Sequence, residues 1–190
     1  KSMIKSKLGL IDNKIYARNC IIKEVSYNDA EIFIEKNHLQ GMSVSKINLG
    51  LYEKNNPDEL LSVMTFGKPR YSKVADWELI RFCSQLDLII VGGGSKLINS
   101  FRNTYMQNQE KLLSYGNRRW TYLHNNFYEN NGFKLIDKSM INYYYFHEKD
   151  KTKLYHRSVF MKHKIEKYYE NKDKLIFNFN ENFTERINMY

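Results

Sequence analysis

The chain is poor in cysteine: only two in 190 residues, Cys20 and Cys83, with no CxxC spacing. Neither a disulfide framework nor a zinc ribbon is built on such a pair, and a reducing cytoplasm is the expected setting. Apolar runs are short. None approaches the roughly 18 residues a membrane span needs, and no apolar stretch follows the basic N-terminus as in a signal peptide, so a membrane partner is not expected. Nor is there an internal repeat, a low-complexity tract, or a cluster of His, Cys and carboxylates at metal-ligand spacing, and no metal site is assigned.

What is present points to a folded α/β chain with a polyanionic partner. Aromatic residues make up 15% and hydrophobic residues 42%, enough for one full core. The net charge of +9 is unevenly spread. Residues 1–23 hold six basic groups against Asp12 alone; residues 24–147 hold 14 basic and 13 acidic groups; residues 148–190 hold 10 and 7. The chain thus reads as a basic N-terminal arm (1–19), a nearly neutral domain (20–147) and a basic, helical and irregular C-terminal extension (148–190). The flanks read either as solvated linkers or as phosphate-contacting segments. The start at Lys1-Ser2-Met3 reads as a piece of a longer protein.

Patterning predicts a strand over 15–25 and a helix capped by Ser26 or Asn28-Asp29 and ending near Asn37-His38. Strands over 47–52 and 60–66 join through Asn55-Asn56-Pro57-Asp58 as an antiparallel hairpin. A strand over 77–83 alternates Trp77, Leu79, Arg81 and Cys83 with Glu78, Ile80 and Phe82, which sets Glu78 and Arg81 on opposite faces unless a bulge intervenes. A short strand then leads into Gly92-Gly93-Gly94 and a helix from Ser95. Strands over 112–115, 133–136 and 141–146, a helix from Trp120 to Tyr128 stopped by Gly132, and a basic aromatic helix over 158–170 complete the pattern; 177–190 reads as irregular.

Three segments carry chemistry. Val91-Gly92-Gly93-Gly94-Ser95-Lys96 lies at a strand-to-helix junction, where glycines let backbone N–H groups approach an anion and the helix dipole favours it; a tight turn is the alternative reading, and the Walker A spacing is missing. Phe127-Tyr128-Glu129-Asn130-Asn131-Gly132-Phe133 sets a phenol on a helix face. The basic segments comprise Arg118-Arg119 and Arg157, Lys162, Lys164 and Lys167. In the latter, Tyr155, Phe160, Tyr168 and Tyr169 are interleaved with the cations, which suits phosphates and bases and equally suits an amphipathic helix packed on the domain.

The order of elements resembles the GNAT acyltransferase fold, a mixed and mainly antiparallel sheet with flanking helices in which a glycine loop opens the central helix. In that family the loop holds the pyrophosphate of acetyl-CoA or another acyl-CoA, and a tyrosine like Tyr128 protonates the departing thiolate. The family's Arg or Gln three residues before the first glycine is Ile89 here. Asn37-His38-Leu39-Gln40-Gly41, Trp77-Glu78-Leu79-Ile80-Arg81 and Ser114-Tyr115-Gly116-Asn117-Arg118-Arg119 are similar to the Mom-like branch, whose members modify adenine in phage DNA. Together with Tyr16-Ala17-Arg18-x-Cys20 and the Arg157 to Lys164 segment, nearly the whole chain resembles a domain of phage homing-endonuclease-associated proteins.

The resemblance implies His38, Glu78, Arg81, Ser114, Tyr115 and Tyr128 as catalytic candidates, with His38 taking up a proton. It implies DNA as partner, a phage-infected bacterial cytoplasm as the setting, and a nuclease elsewhere in the parent protein. The branch's Asp following this Ser-Tyr is Asn117 here, and an amide is no general base. Both an active DNA-modifying transferase and a silent DNA-targeting module therefore stay open. A nuclease with unrecognised motifs is the third class. No lysine completes a PD-(D/E)xK site after Glu78, Gly9-Leu10-Ile11-Asp12 is a lone half-match to LAGLIDADG, and His124 has no HNH partners.

Overall fold

A computed structural model describes residues 2–117, 121, 124–138, 142–147, 150–156 and 186–189. The chain separates into two compact units, Lys1–Asn117 and Arg118–Tyr190.

The first unit opens with helix α1 (Ser2–Lys7), strand β1 (Lys14–Tyr16), one 3-10 turn (Ala17–Asn19) and strand β2 (Cys20–Glu24). The single strand expected over 15–25 is thus broken in two. The ammonium of Lys96 explains the break: it donates to the carbonyls of Ala17 (2.9 Å) and Cys20 (2.6 Å), holding a turn where a strand would otherwise run on. Residues 1–19 do not hang free of this unit. Ile11 and Ala17 are buried, Lys5 pairs with Asp87 at 3.3 Å, and β1 pairs in parallel with β6 (Ile89–Val91).

Helix α2 (Tyr27–Asn37) starts where the capping residue predicts: the Ser26 hydroxyl oxygen accepts from the Asp29 N–H at 3.1 Å. It stops at His38, whose backbone turns extended. Its Ala30, Phe33 and Ile34 pack on Val25 of the adjoining loop and Val63 of the sheet, with Cys83 beside them. Strands β3 (Ile47–Glu53) and β4 (Leu60–Gly67) form the expected hairpin, and β5 (Trp77–Ser84) continues the antiparallel order. After β6 comes helix α3 (Gly93–Tyr105), then β7 (Leu112–Ser114). The five-stranded sheet runs β2-β3-β4-β5-β7, antiparallel except for β5 and β7. That pair is parallel over Trp77–Leu112, Glu78–Leu113 and Leu79–Ser114 only, after which β7 ends and β5 continues.

The two helices cover opposite faces. Phe101 of α3 stacks on Phe66 (centroids 3.6 Å apart, 4° between planes) and meets Trp77 edge-on. Successive strand residues point to opposite faces, so Val63, Thr65 and Gly67 of β4 lie toward α2, and Met64 and Phe66 toward α3. Across the ladder, Thr65 pairs with Arg81 and Phe66 with Leu79, leaving Ile80 as an extra residue in β5. This bulge resets the alternation. Glu78, opposite Gly67, and Arg81, opposite Thr65, both lie on the α2 side, whereas a regular strand would have separated them.

In the second unit, α4 (Phe127–Asn130) is a single turn rather than the longer helix expected from Trp120. Asn125 takes a left-handed φ of 53° and the Asn126 side chain accepts from the N–H groups of Tyr128 and Glu129, so the helix begins at 127. Gly132 ends it in the left-handed region, φ 78°. Residues 133–136 are not a strand. The strand expected over 141–146 is β8 (Asn142–His147), which pairs with β9 (Asp150–His156) and β10 (Arg186–Met189) in a separate three-stranded sheet. Both partners fall where helix or irregular chain was expected. The helix read over 158–170 lies outside the described residues. Among the described residues no helix is long and apolar enough to cross a membrane.

Candidate functional site

The polar centre of the first unit is Glu78, whose side chain is 1% exposed. A carboxylate so far from water needs partners, and Arg70 supplies both. Its guanidinium Nη2 donates to Oε1 at 2.9 Å and its own backbone N–H donates to Oε2 at 3.0 Å. Arg70 Nη1 donates in turn to the Ser43 hydroxyl at 2.9 Å. The segment after β4 is thereby tied to the segment after α2 through one buried carboxylate.

Arg81 approaches from the same face. Its Nε donates to the Gly41 carbonyl at 2.9 Å, and its Nη1 to the carbonyl of the bulged Ile80 at 3.0 Å. Both acceptors are neutral, and no described carboxylate lies within hydrogen-bond reach of it. Burial and the nearby Arg70 charge press down on its affinity for a proton, and Glu78 opposes them. Among the described residues Glu78 is thus bonded to Arg70 alone, and Arg81 only feels its charge. Glu35, the next acid along, is engaged by the Met42 N–H at 2.7 Å.

His38 sits where α2 ends, half-buried. Its Nδ1 accepts from the Gln40 N–H at 3.1 Å, which leaves the proton of the neutral ring on Nε2. Burial and the Arg81 charge hold its pKa below the usual 6.5. In this arrangement the neutral ring has Nδ1 engaged and presents an Nε2–H donor. Gly41 makes the turn possible: it has φ +63°, and a Cβ there would lie 2.6 Å from the Glu35 carboxylate.

Tyr115 follows β7 at the edge where β7 ends, 49% exposed, and meets Tyr71 edge-on with centroids 6.4 Å apart. Burial and then the Glu78 charge push its phenol pKa up. Ser114 faces differently: its hydroxyl donates to the Leu79 carbonyl at 3.1 Å, stitching β7 to β5. Of the six catalytic candidates, His38, Glu78, Arg81 and Tyr115 are electrostatically linked, Ser114 braces the sheet, and Tyr128 belongs to the second unit, where it packs edge-on against Phe127 and Phe133. Arg70, Ser43 and Tyr71 were not legible as site residues. The only signal was a basic-aromatic pair, Arg70-Tyr71, directly after the Gly67-Lys68-Pro69 strand end.

The glycine segment is built for packing. Gly92 caps α3 with φ 78°, and Gly93 and Gly94 are buried. A Cβ on Gly93 would stand 2.9 Å from Ile90 Cγ2 and 3.1 Å from Leu51 Cδ1. Lys96, the cation nearest the loop, is held by the carbonyls of Ala17 and Cys20. Exposed Val91 and Gly92 and half-buried Ser95 complete the segment. The basic candidates Arg118, Arg119, Arg157, Lys162, Lys164 and Lys167 lie outside the described residues. Among the described residues no group of three or more His, Cys, Asp and Glu is placed to hold a metal ion. Comparison with known proteins finds no match to this chain among family models, curated proteins or solved structures.

Proposed function

We propose that the first unit is a transferase-type cleft of the GNAT-like, Mom-like kind that works on DNA, within a phage or mobile-element protein partnered by a nuclease. The observation that carries this reading is the bulge that sets Glu78 and Arg81 on one face of the sheet, with His38 and Tyr115 near enough to feel their charges, beside the point where β7 ends and parallel β5 runs on. The strand order β2-β3-β4-β5-β7 with α3 inserted between the parallel pair supports the same reading. Fold alone does not fix function, so the polar groups bear the weight of the argument.

Their chemistry suits a negatively charged substrate. Arg81 and Arg70 stabilise a phosphate or a developing oxyanion, Glu78 fixes Arg70 in place, and neutral His38 donates a hydrogen bond from Nε2. A base modified in such a site has to leave the duplex stack. For an acyl-CoA donor the glycine segment offers the N–H groups of the first turn of α3, but its own cation, Lys96, is engaged and Ile89 stands where a polar residue would be. That is a poor match to a pyrophosphate. It favours a second reading, in which the unit recognises DNA without transferring a group.

A binding titration of the whole chain against DNA at rising salt tests what the two readings share. The expected result is affinity that falls steadily with salt; salt-independent binding sinks both. Calorimetry with acetyl-CoA separates them: absence of binding at millimolar ligand removes the transferase and leaves the targeting unit. Plasmid incubated with the chain and magnesium is expected to stay intact.

A further inference from the structure

We infer that the corner around Arg70 and Arg81 is a seat for one unstacked nucleotide of single-stranded DNA, with phosphate on the two guanidiniums and base on Tyr71. This rests on the DNA reading above and gives it a ligand conformation and a set of contact residues. Four observations lead there. Glu78 is bonded to Arg70, and Arg81 spends its bonds on the carbonyls of Gly41 and Ile80, so Arg81 can take an anion without losing a salt bridge. No described residue accepts from Arg81 Nη2 or His38 Nε2, and both are donors. The hydroxyl of Thr65, fully buried and without a hydrogen-bond partner among the described residues, stands directly across the ladder from Arg81 on the same face, which leaves polar capacity unspent beneath the corner.

The fourth observation is aromatic. Tyr71 is 83% exposed and meets Tyr115 edge-on, so it offers an aromatic surface to a base. The Arg70 guanidinium carbon lies over the Tyr71 ring, 5.8 Å from its centroid, so a phosphate on Arg70 stands beside that ring. Cationic groups beside exposed rings are the pattern of single-strand binding, in which every base presents a face to stack. A duplex keeps its bases covered and offers nothing to Tyr71.

Fluorescence anisotropy with a labelled ten-residue oligothymidylate, and with a duplex of the same length, tests the inference on the whole chain. The single strand is expected to bind more tightly than the duplex. Tyr71→Ala with Tyr115→Ala, both at exposed positions, is expected to weaken single-strand binding about tenfold, and Tyr71→Phe to leave it unchanged. Wild-type affinity in the double tyrosine variant overturns the seat, and so does a preference for duplex. Duplex binding with undiminished salt dependence and no response to the tyrosines overturns the seat and keeps the DNA reading. Binding to neither oligonucleotide overturns both.

Discussion

The turn after β6 and the corner around Glu78 make opposite use of their polar groups. In the turn, Lys96 is consumed by two backbone carbonyls and the glycines let α3 settle on Ile90 and Leu51; polarity there serves the fold. At the corner, a carboxylate with almost no exposure is balanced by Arg70, while Arg81 is held only by carbonyls. The turn has used up its electrostatic capacity and the corner has kept some back. A loop rich in glycine and lysine is thus no guide to an anion site until the partners of its lysine are known.

Substitutions can drive the two regions apart or show them to be alike. The largest expected effect is at Glu78→Ala, which strips the partner from Arg70. Removing one member of a buried pair costs about 3 kcal/mol, toward the low end because Arg70 is 37% exposed and can turn to water. Urea unfolding measures this, and an unchanged midpoint would mean the pair contributes little. Next is Lys96→Met, which abandons two carbonyls bonded to an ammonium, a loss of about 2 kcal/mol. It is expected to lower stability and leave DNA affinity alone; an equal fall in affinity would return the turn to the candidate site. Gly93→Ala follows at roughly 1–2 kcal/mol, from crowding against the branched Ile90 side chain, again read by denaturation and again without effect on binding.

The smallest effect is one of pH. The pKa of His38 is lowered in the folded chain from 6.5, so on acidification the unfolded chain takes up this proton first. The stability tied to His38 is complete above pH 6.5 and drains away as pH falls from there toward the lowered folded value, below which it is gone. His38→Gln is expected to flatten that part of the stability profile, measured as urea midpoints between pH 7.5 and 5.5. An unaltered slope would show that the ring is protonated as readily folded as unfolded.

The sheet and its helices were legible from local signals. Ser26 announced α2, the Asn-Asn-Pro-Asp turn announced the β3–β4 hairpin, and Leu97, Ile98 and Phe101 gave α3 a periodic apolar face that is buried as expected. His38, Glu78, Arg81 and Tyr115 were legible by resemblance. Arg70 was not, because nothing local sets its guanidinium on a carboxylate eight residues away; the long-range pairing of β4 with β5 does that. The break in the first strand was hidden for the same reason, since it depends on Lys96, 79 residues from Ala17. The strand β9 escaped because Asp150-Lys151-Thr152-Lys153 is polar throughout and has no hydrophobic period to read, and β10 because four residues, Arg186-Ile187-Asn188-Met189, are too short an alternation to stand out.

The extra residue in β5 has an evolutionary corollary. Exchanging side chains along a regular strand, however many times, never brings positions 78 and 81 to the same side, whereas inserting one codon does so at a stroke. Losing that codon would turn one half of the strand over and disperse the cluster while leaving every chemical group in the gene. The length of this strand, more than its composition, is what descendants of this chain have to inherit.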